Sequence, residues 1–93
     1  MSEVVMPLPE KFDFGFNKEF MQQYQSGLSR EGVTRIVLDF NRVTYLDSSA
    51  LGMMVLLQKR AKEKNIRAVV RCAKGTANEV LKMANFQKLF DFE

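Results

Sequence analysis

The residues best suited to chemistry in this chain are Asp47, Ser48 and Ser49, which stand between an apolar run and a helix-forming segment. An aspartate directly before a helix accepts hydrogen bonds from the N–H groups of the first turn. Its negative charge also complements the positive end of the helix dipole. The spacing fits two interpretations, a functional serine placed at a helix start or a helix start and nothing more.

Composition disfavours catalysis by these side chains. The chain contains no histidine, which is the usual general base for a serine nucleophile and the commonest metal ligand. Asp47 and Ser48 also lack the Gly-x-Ser-x-Gly turn that exposes nucleophilic serines. Cys72 is the only cysteine, so no internal disulfide can form, and we expect its thiol to be buried as a small apolar group. The sequence therefore predicts a protein that is not an enzyme and has no catalytic residue, metal or cofactor.

Length and composition predict a single domain over residues 1–93, and a monomer is our default expectation for the free protein, whose oligomeric state the sequence leaves open. The hydrophobic fraction of 46% and the charged fraction of 27% are ordinary for a globular protein. No apolar run approaches the roughly 20 residues that span a bilayer, and no secretory signal is recognisable, so we expect a cytoplasmic protein without membrane contact. The net charge of +3 is densest at Lys59–Lys64. We interpret this cluster as a solvated helix end and not as a nucleic-acid site, because no aromatic platforms lie nearby.

Strand and helix patterns alternate along the chain. Val4–Phe14 carries two prolines and an apolar–polar alternation at Lys11–Phe14, which predicts a short edge strand or an extended arm. Helical spacing of apolar residues predicts a helix over Phe16–Leu28 with Asn17 as its N-cap. The further predicted elements are a strand at Arg35–Phe40, a loop and then Tyr45–Leu46 leading to Asp47, a helix from Ser48 to about Lys64 ended by Asn65, a strand at Ile66–Arg71, a helix after Lys74–Thr76, and a short final strand within Phe86–Phe92. This alternation predicts an α/β protein with helices packed on a largely parallel sheet.

The predicted helix from Ser48 has an unusual outer face. One apolar stripe predicts the side that faces the core: Ala50, Met54, Leu57 and Ala61. The residues that cluster on the opposite side are Ser48, Gly52, Val55, Leu56 and Lys59. An outer face is normally polar, yet the first two turns here hold a serine, a glycine and two aliphatic residues. We interpret these five residues as a partner-binding surface. The alternative is that another element of the same chain covers Val55 and Leu56.

Two segments of the chain strongly resemble the STAS domain of bacterial anti-sigma factor antagonists. They are Thr34–Phe40 and Val43–Gly52, and the second contains Asp-Ser-Ser-Ala-Leu-Gly directly after an apolar strand. The similarity runs from about Phe12 to Phe92 and includes Asn85–Phe90. The stretch Lys11–Phe14 is similar to that of single-domain proteobacterial members tied to two-component signalling.

This resemblance implies a STAS-like fold, with a mixed, mostly parallel sheet of about four strands, and a partner-switching function. Ser48 matches the serine that a serine kinase, often the anti-sigma factor itself, phosphorylates, and that a PP2C-type phosphatase dephosphorylates. Asp47, Ser49 and Gly52 are the surrounding motif positions. The unphosphorylated form would bind the anti-sigma factor and release the sigma factor. Relative to the family, we expect a missing or degenerate first strand and no further helix after Glu93.

A second interpretation is a STAS module that works without phosphate control. It would be a constitutive subunit or a nucleotide-binding domain of a larger assembly, and Ser48 would be only a residue near the helix cap. The chain has no Gly-x-x-x-x-Gly-Lys-Ser/Thr sequence that would cradle a nucleotide phosphate.

Overall fold

A computed structural model describes residues 2–93 of the chain. In chain order the elements are β1 (Ser2–Pro7), β2 (Lys11–Phe12), α1 (Asn17–Leu28), β3 (Val33–Asp39), β4 (Tyr45–Leu46), α2 (Ser48–Glu63), β5 (Arg67–Arg71), α3 (Gly75–Met83) and β6 (Asp91–Phe92). Single 3₁₀ turns precede α1 at Phe14–Phe16 and β6 at Phe86–Lys88.

Four strands form the main sheet, in the order β1-β3-β5-β6. The predicted α/β class and the mostly parallel sheet of about four strands are confirmed, and every strand pairing within residues 2–93 is parallel, where a mixed sheet was expected. Each connection between sheet neighbours contains a helix, and hairpins, which make antiparallel pairs, do not arise. Because such crossovers are right-handed and all step in the same direction, α1, α2 and α3 lie on one face of the sheet.

The core lies between that face and the three helices. Alternate strand residues point into it, among them Met6, Ile36, Leu38 and Val70, each no more than 2% exposed. The predicted core stripe of α2 is confirmed, since all four of its members are buried: Ala50, Met54, Leu57 and Ala61. Met53 joins them and widens the buried stripe.

The N-terminal segment departs from its prediction in two places. β1 is a six-residue edge strand that pairs with β3 over its whole length, so the first strand is neither missing nor degenerate. The alternation at Lys11–Phe14 continues as a strand only to Phe12. The Asp13 side chain then accepts the Gly15 N–H at 3.0 Å and turns the chain into the first 3₁₀ turn.

Asn17 is not the N-cap of α1. The preceding 3₁₀ turn runs directly into the helix, and Asn17 already has helical dihedral angles of φ −53° and ψ −52°. The N-cap position therefore falls on Phe16, which provides no capping side chain. Asn65, by contrast, has a φ of +57° two residues after the end of α2, just past the C-cap Lys64, as expected of the residue that ends this helix.

The expectation of a buried Cys72 is wrong. β5 ends one residue earlier, and Cys72 takes a φ of +63°, which turns the chain away from the sheet. Its thiol is consequently exposed. The Cys72 N–H donates to the main-chain oxygen of Glu93 at 3.3 Å, which holds this turn beside the end of β6.

Candidate functional site

Ser48 is the first residue of α2 and is exposed to solvent. Asp47 immediately before it has extended dihedral angles, and its Oδ1 atom accepts the Ala50 N–H at 2.9 Å. The prediction that Asp47 caps this helix is thus confirmed. The serine hydroxyl lies at the positive end of the helix dipole, where an added negative charge is favourably placed.

The second oxygen of Asp47 reaches a different part of the chain. Its Oδ2 atom accepts the backbone N–H of Phe14 at 3.3 Å. One carboxylate therefore joins the start of α2 to the 3₁₀ turn that leads into α1. This contact could not be predicted from the sequence, because the partners are 33 residues apart and a backbone N–H has no residue type that would indicate it.

A two-residue ladder holds the same two segments together. β2 pairs with β4, with Lys11 opposite Tyr45 and Phe12 opposite Leu46. The Glu10 carbonyl accepts the N–H groups of Thr44 at 2.9 Å and Tyr45 at 3.3 Å. Phe12 and Leu46 point inward and are buried, so the ladder is anchored in the core. Ser48 consequently follows a fixed support and not a free loop.

The predicted partner-binding face of α2 is open to solvent at four of its five positions. Ser48, Gly52, Leu56 and Lys59 are exposed, and Leu56 retains 42% of its accessible surface. Val55 is the exception, because it is half-buried and packs against the core. A methyl group added at Gly52 would meet no atom within 4 Å, so packing within the chain does not require a glycine there.

Ser49, the neighbouring hydroxyl, is half-buried. It therefore offers less of its surface to a second protein than the exposed Ser48 does. This difference makes Ser49 the natural control position for experiments on Ser48.

Two exposed aromatic residues lie next to the site and were not among the predicted site residues. Phe14 is 69% exposed beside Asp47, and Tyr45 is 52% exposed in the strand that leads into α2. For Tyr45 the signal was available, since it alternates with the buried Leu46 across a two-residue strand. For Phe14 the alternation was misleading, because the chain leaves the strand geometry after Phe12.

The basic cluster lies at the far end of α2. The helix has 16 residues, which at 1.5 Å per residue places its end about 24 Å from Ser48. Arg60 and Lys62 lie in the last turn, and Arg60 pairs with Glu63 at 3.8 Å. The cations therefore meet the negative end of the helix dipole.

The described residues hold neither a metal-ligand cluster nor a membrane-spanning helix. No three acidic or cysteine side chains within residues 2–93 are grouped so that they could hold a metal ion. None of the helices in that range is long and apolar enough to cross a membrane.

Fold and site together define a small α/β domain with helices on one face of a parallel sheet. The domain presents a serine at the start of a helix whose outer face is exposed. The chain belongs to the STAS domain family, whose family model matches residues 2–93. It is 34% identical over 90 residues to a STAS-domain containing protein of Pseudomonas aeruginosa, covering 95% of this chain and 85% of that protein.

Solved structures of anti-sigma factor antagonists share the fold. The Bacillus cell fate determinant SpoIIAA in its phosphorylated form superposes with a TM-score of 0.74 at 18% identity, over 98% of this chain and 82% of that one. The anti-sigma factor antagonist SpoIIAA in its unphosphorylated form gives a TM-score of 0.70 at 20% identity, over 87% of this chain and 74% of that one. The predicted STAS resemblance is thereby confirmed.

Proposed function

We propose that this protein is a partner-switching regulator controlled by phosphorylation of Ser48. In its unphosphorylated form it binds an anti-sigma factor, or a kinase-type regulator of one, and so releases the sigma factor. Phosphorylation of Ser48 blocks that binding. The observation that carries the proposal is the exposed Ser48 at the capped start of α2, on a face with further exposed apolar residues.

The proposed partner-binding surface centres on the outer face of α2. It comprises Ser48, Gly52, Val55, Leu56 and Lys59. We extend it to Phe14 and Tyr45, since both expose an aromatic ring beside the start of the same helix. Exposed aromatic residues are frequent anchors of protein–protein interfaces, because they bury a large area at a small cost in conformational entropy.

A phosphate on Ser48 would act on the complex more than on the fold. It adds about −1.5 to −2 charges at neutral pH. The helix dipole favours this charge, and repulsion by Asp47 is screened by solvent, so α2 remains folded. In the complex the phosphate would be desolvated against an apolar surface, and burying an unpaired charge costs several kcal/mol. Since about 1.4 kcal/mol is tenfold in affinity, release of the partner follows.

For the enzymes that phosphorylate and dephosphorylate Ser48 we propose only the enzyme class. A serine kinase, which is the anti-sigma factor itself or a separate protein, would phosphorylate the accessible hydroxyl. A PP2C-type phosphatase would remove the phosphate. In support, SpoIIAA, a structural neighbour, is known in phosphorylated and unphosphorylated forms. We place the free protein in the cytoplasm as a monomer, with binding and not catalysis as its activity.

The proposal is tested by the phosphorylation state of the protein in its host. The intact mass of the native protein is measured before and after treatment with a serine phosphatase. We expect a phosphatase-sensitive species one phosphate heavier, which peptide mapping assigns to Ser48 and which the Ser48→Ala variant lacks. A protein that carries no phosphate under all growth conditions would instead favour a constitutive STAS subunit or nucleotide-binding domain.

A further inference from the structure

The sheet has a second face that no helix of residues 2–93 covers. Because strand residues alternate, Val5, Val37 and Val69 lie opposite one another across three strands and point to this face. Val37 and Val69 are nevertheless 0% exposed. Neither belongs to the cluster of buried residues that the helices cover. Another group of atoms must therefore shield these two valines from water.

Four charged side chains on the same face form a closed ring. Arg71 contacts both glutamates, with Nη2 at 3.2 Å from Glu3 Oε1 and 2.9 Å from Glu93 Oε1. Arg35 also contacts both, with Nη1 at 3.6 Å from Glu3 Oε1 and Nη2 paired with Glu93 Oε2. Each arginine thus bridges the same two carboxylates. We call Glu3, Arg35, Arg71 and Glu93 the charge ring.

The charge ring crosses the whole sheet. Glu3 belongs to β1, Arg35 to β3 and Arg71 to β5, and Glu93 directly follows β6. Arg35 stands two residues before Val37, and Arg71 two residues after Val69, so the ring lies diagonally over the two valines. Long arginine side chains cover apolar surface with their aliphatic stems while the charged head stays in water. The register therefore places the arginine stems of the ring where they can cover Val37 and Val69.

The Glu93 carboxylate of the ring is held in its charged state. Hydrogen bonds from Arg71 and Arg35 hold the pKa of the Glu93 carboxyl below its usual value. Hydrogen bonds with Glu3 and Glu93 raise the pKa of Arg71. An isolated surface ion pair contributes little, but four charges that share partners form the kind of network that does contribute. Because the folded-state pKa of Glu93 is lowered, its contribution exists above the unfolded-state pKa and is lost as the pH falls through the folded-state value.

We propose that the charge ring is an electrostatic latch, which closes the helix-free face of the sheet at neutral pH and opens in acid or at high salt. Opening uncovers Val37 and Val69 and frees β6, which has only two paired residues. The latch lies on the opposite face from α2 and does not depend on the proposed phosphorylation of Ser48.

The other charged residues on this face of the sheet make contacts outside the charge ring. Arg67 of β5 pairs with Asp91 of β6 at 3.1 Å, outside the ring. Asp39 of β3 shares the face by alternation, and its Oδ1 atom accepts the Asn41 N–H at 2.9 Å. The Arg67–Asp91 pair provides a matched control, because it lies on the same sheet face but bridges only two neighbouring strands.

The test compares Glu93→Gln with Asp91→Asn, each of which replaces a carboxylate by its neutral amide. Binding of the dye anilinonaphthalene sulfonate reports exposed apolar surface, and far-ultraviolet circular dichroism verifies that each variant is folded. We expect Glu93→Gln to bind several-fold more dye than the wild type at neutral pH. We also expect the amide of Cys72 to exchange faster in this variant, and the fall in Tm on acidification to be reduced. Asp91→Asn, which removes one exposed pair beside Val69 and leaves the four-charge network intact, should gain clearly less dye than Glu93→Gln.

Equal dye binding, amide exchange and acid dependence in Glu93→Gln and the wild type would overturn the latch. Equal changes in Glu93→Gln and Asp91→Asn would also overturn it, because the effect would then be general loss of surface charge. If Glu93→Gln does not fold, Glu3→Gln replaces it, since Glu3 contacts both arginines at 3.2 Å and 3.6 Å. The wild type titrated with salt at neutral pH must gain dye binding in the same way.

Discussion

Phe14 donates its backbone N–H to Oδ2 of Asp47, a residue 33 positions later in the chain, at 3.3 Å. The other oxygen of the same carboxylate accepts the Ala50 N–H at 2.9 Å. Asp47 is therefore more than a helix cap. It fixes the position of an exposed aromatic residue relative to Ser48, and so couples the N-terminal segment to the proposed switch.

Replacement of Asp47 should cost stability. Asp47→Ala removes both hydrogen bonds, and loss of an N-cap side chain typically costs about 0.5–2 kcal/mol. Asp47→Asn separates the two contacts, because asparagine is an equally good N-cap but has a single acceptor oxygen and so cannot also accept the Phe14 N–H. Urea unfolding should show the lowest midpoint for Asp47→Ala and a midpoint between those of Asp47→Ala and the wild type for Asp47→Asn. A wild-type midpoint for Asp47→Ala would mean that solvent replaces both contacts at no cost.

Substitution of Gly52 by alanine should change stability and partner affinity in opposite directions. A methyl group there meets nothing within 4 Å, so Gly52→Ala should raise stability by about 0.5–1 kcal/mol through better helix propensity. The same methyl group stands in the middle of the proposed partner-binding surface, and we expect it to weaken the complex about tenfold.

Gly27→Ala provides the contrast. A methyl group at Gly27 lies 3.0 Å from Cγ1 of Val4, so this variant should lose stability without a specific effect on binding. Thermal unfolding and calorimetric titration of both variants measure the two effects. A Gly52→Ala protein that is destabilised, or that binds its partner as the wild type does, would contradict the placement of Gly52 on an open binding surface.

The exposed aromatic rings should matter for binding and little for folding. Phe14→Ala and Tyr45→Ala each remove a ring that is more than half exposed, so Tm should change little. If both rings contact the partner, affinity should fall at least about tenfold in each variant. Met83→Ala is the control, because Met83 is 84% exposed but lies on α3. Unchanged affinity in both aromatic variants would restrict the surface to α2.

Local signals made α2 predictable. A capping aspartate, good helix formers, one apolar stripe and an asparagine stop all act within a few residues, and the helix begins at Ser48 as predicted. The α/β class was also predictable, since alternating patterns leave few arrangements. The charge ring could not be predicted, because Glu3 and Arg71 are 68 residues apart and only the strand order of the sheet brings them together.

The predictions for Cys72 and Asn17 were wrong for a different reason. Each belongs to a run whose pattern continued past the true end or start of an element. A left-handed residue at Cys72 and a 3₁₀ turn before Asn17 break the period locally. Residue type gives little warning of such breaks, because the neighbouring chain and not the side chain determines them.

The switch is tested most directly by the dissociation constant of the partner complex. An anti-sigma factor or kinase-type partner recovered from the host with a Ser48→Ala bait is titrated with the wild type, Ser48→Ala, Ser48→Asp and Ser49→Asp. We expect Ser48→Ala to bind as the unphosphorylated wild type does, Ser48→Asp to bind at least about tenfold more weakly, and Ser49→Asp to have a smaller effect. Equal dissociation constants for Ser48→Ala and Ser48→Asp would rule out the proposed switch.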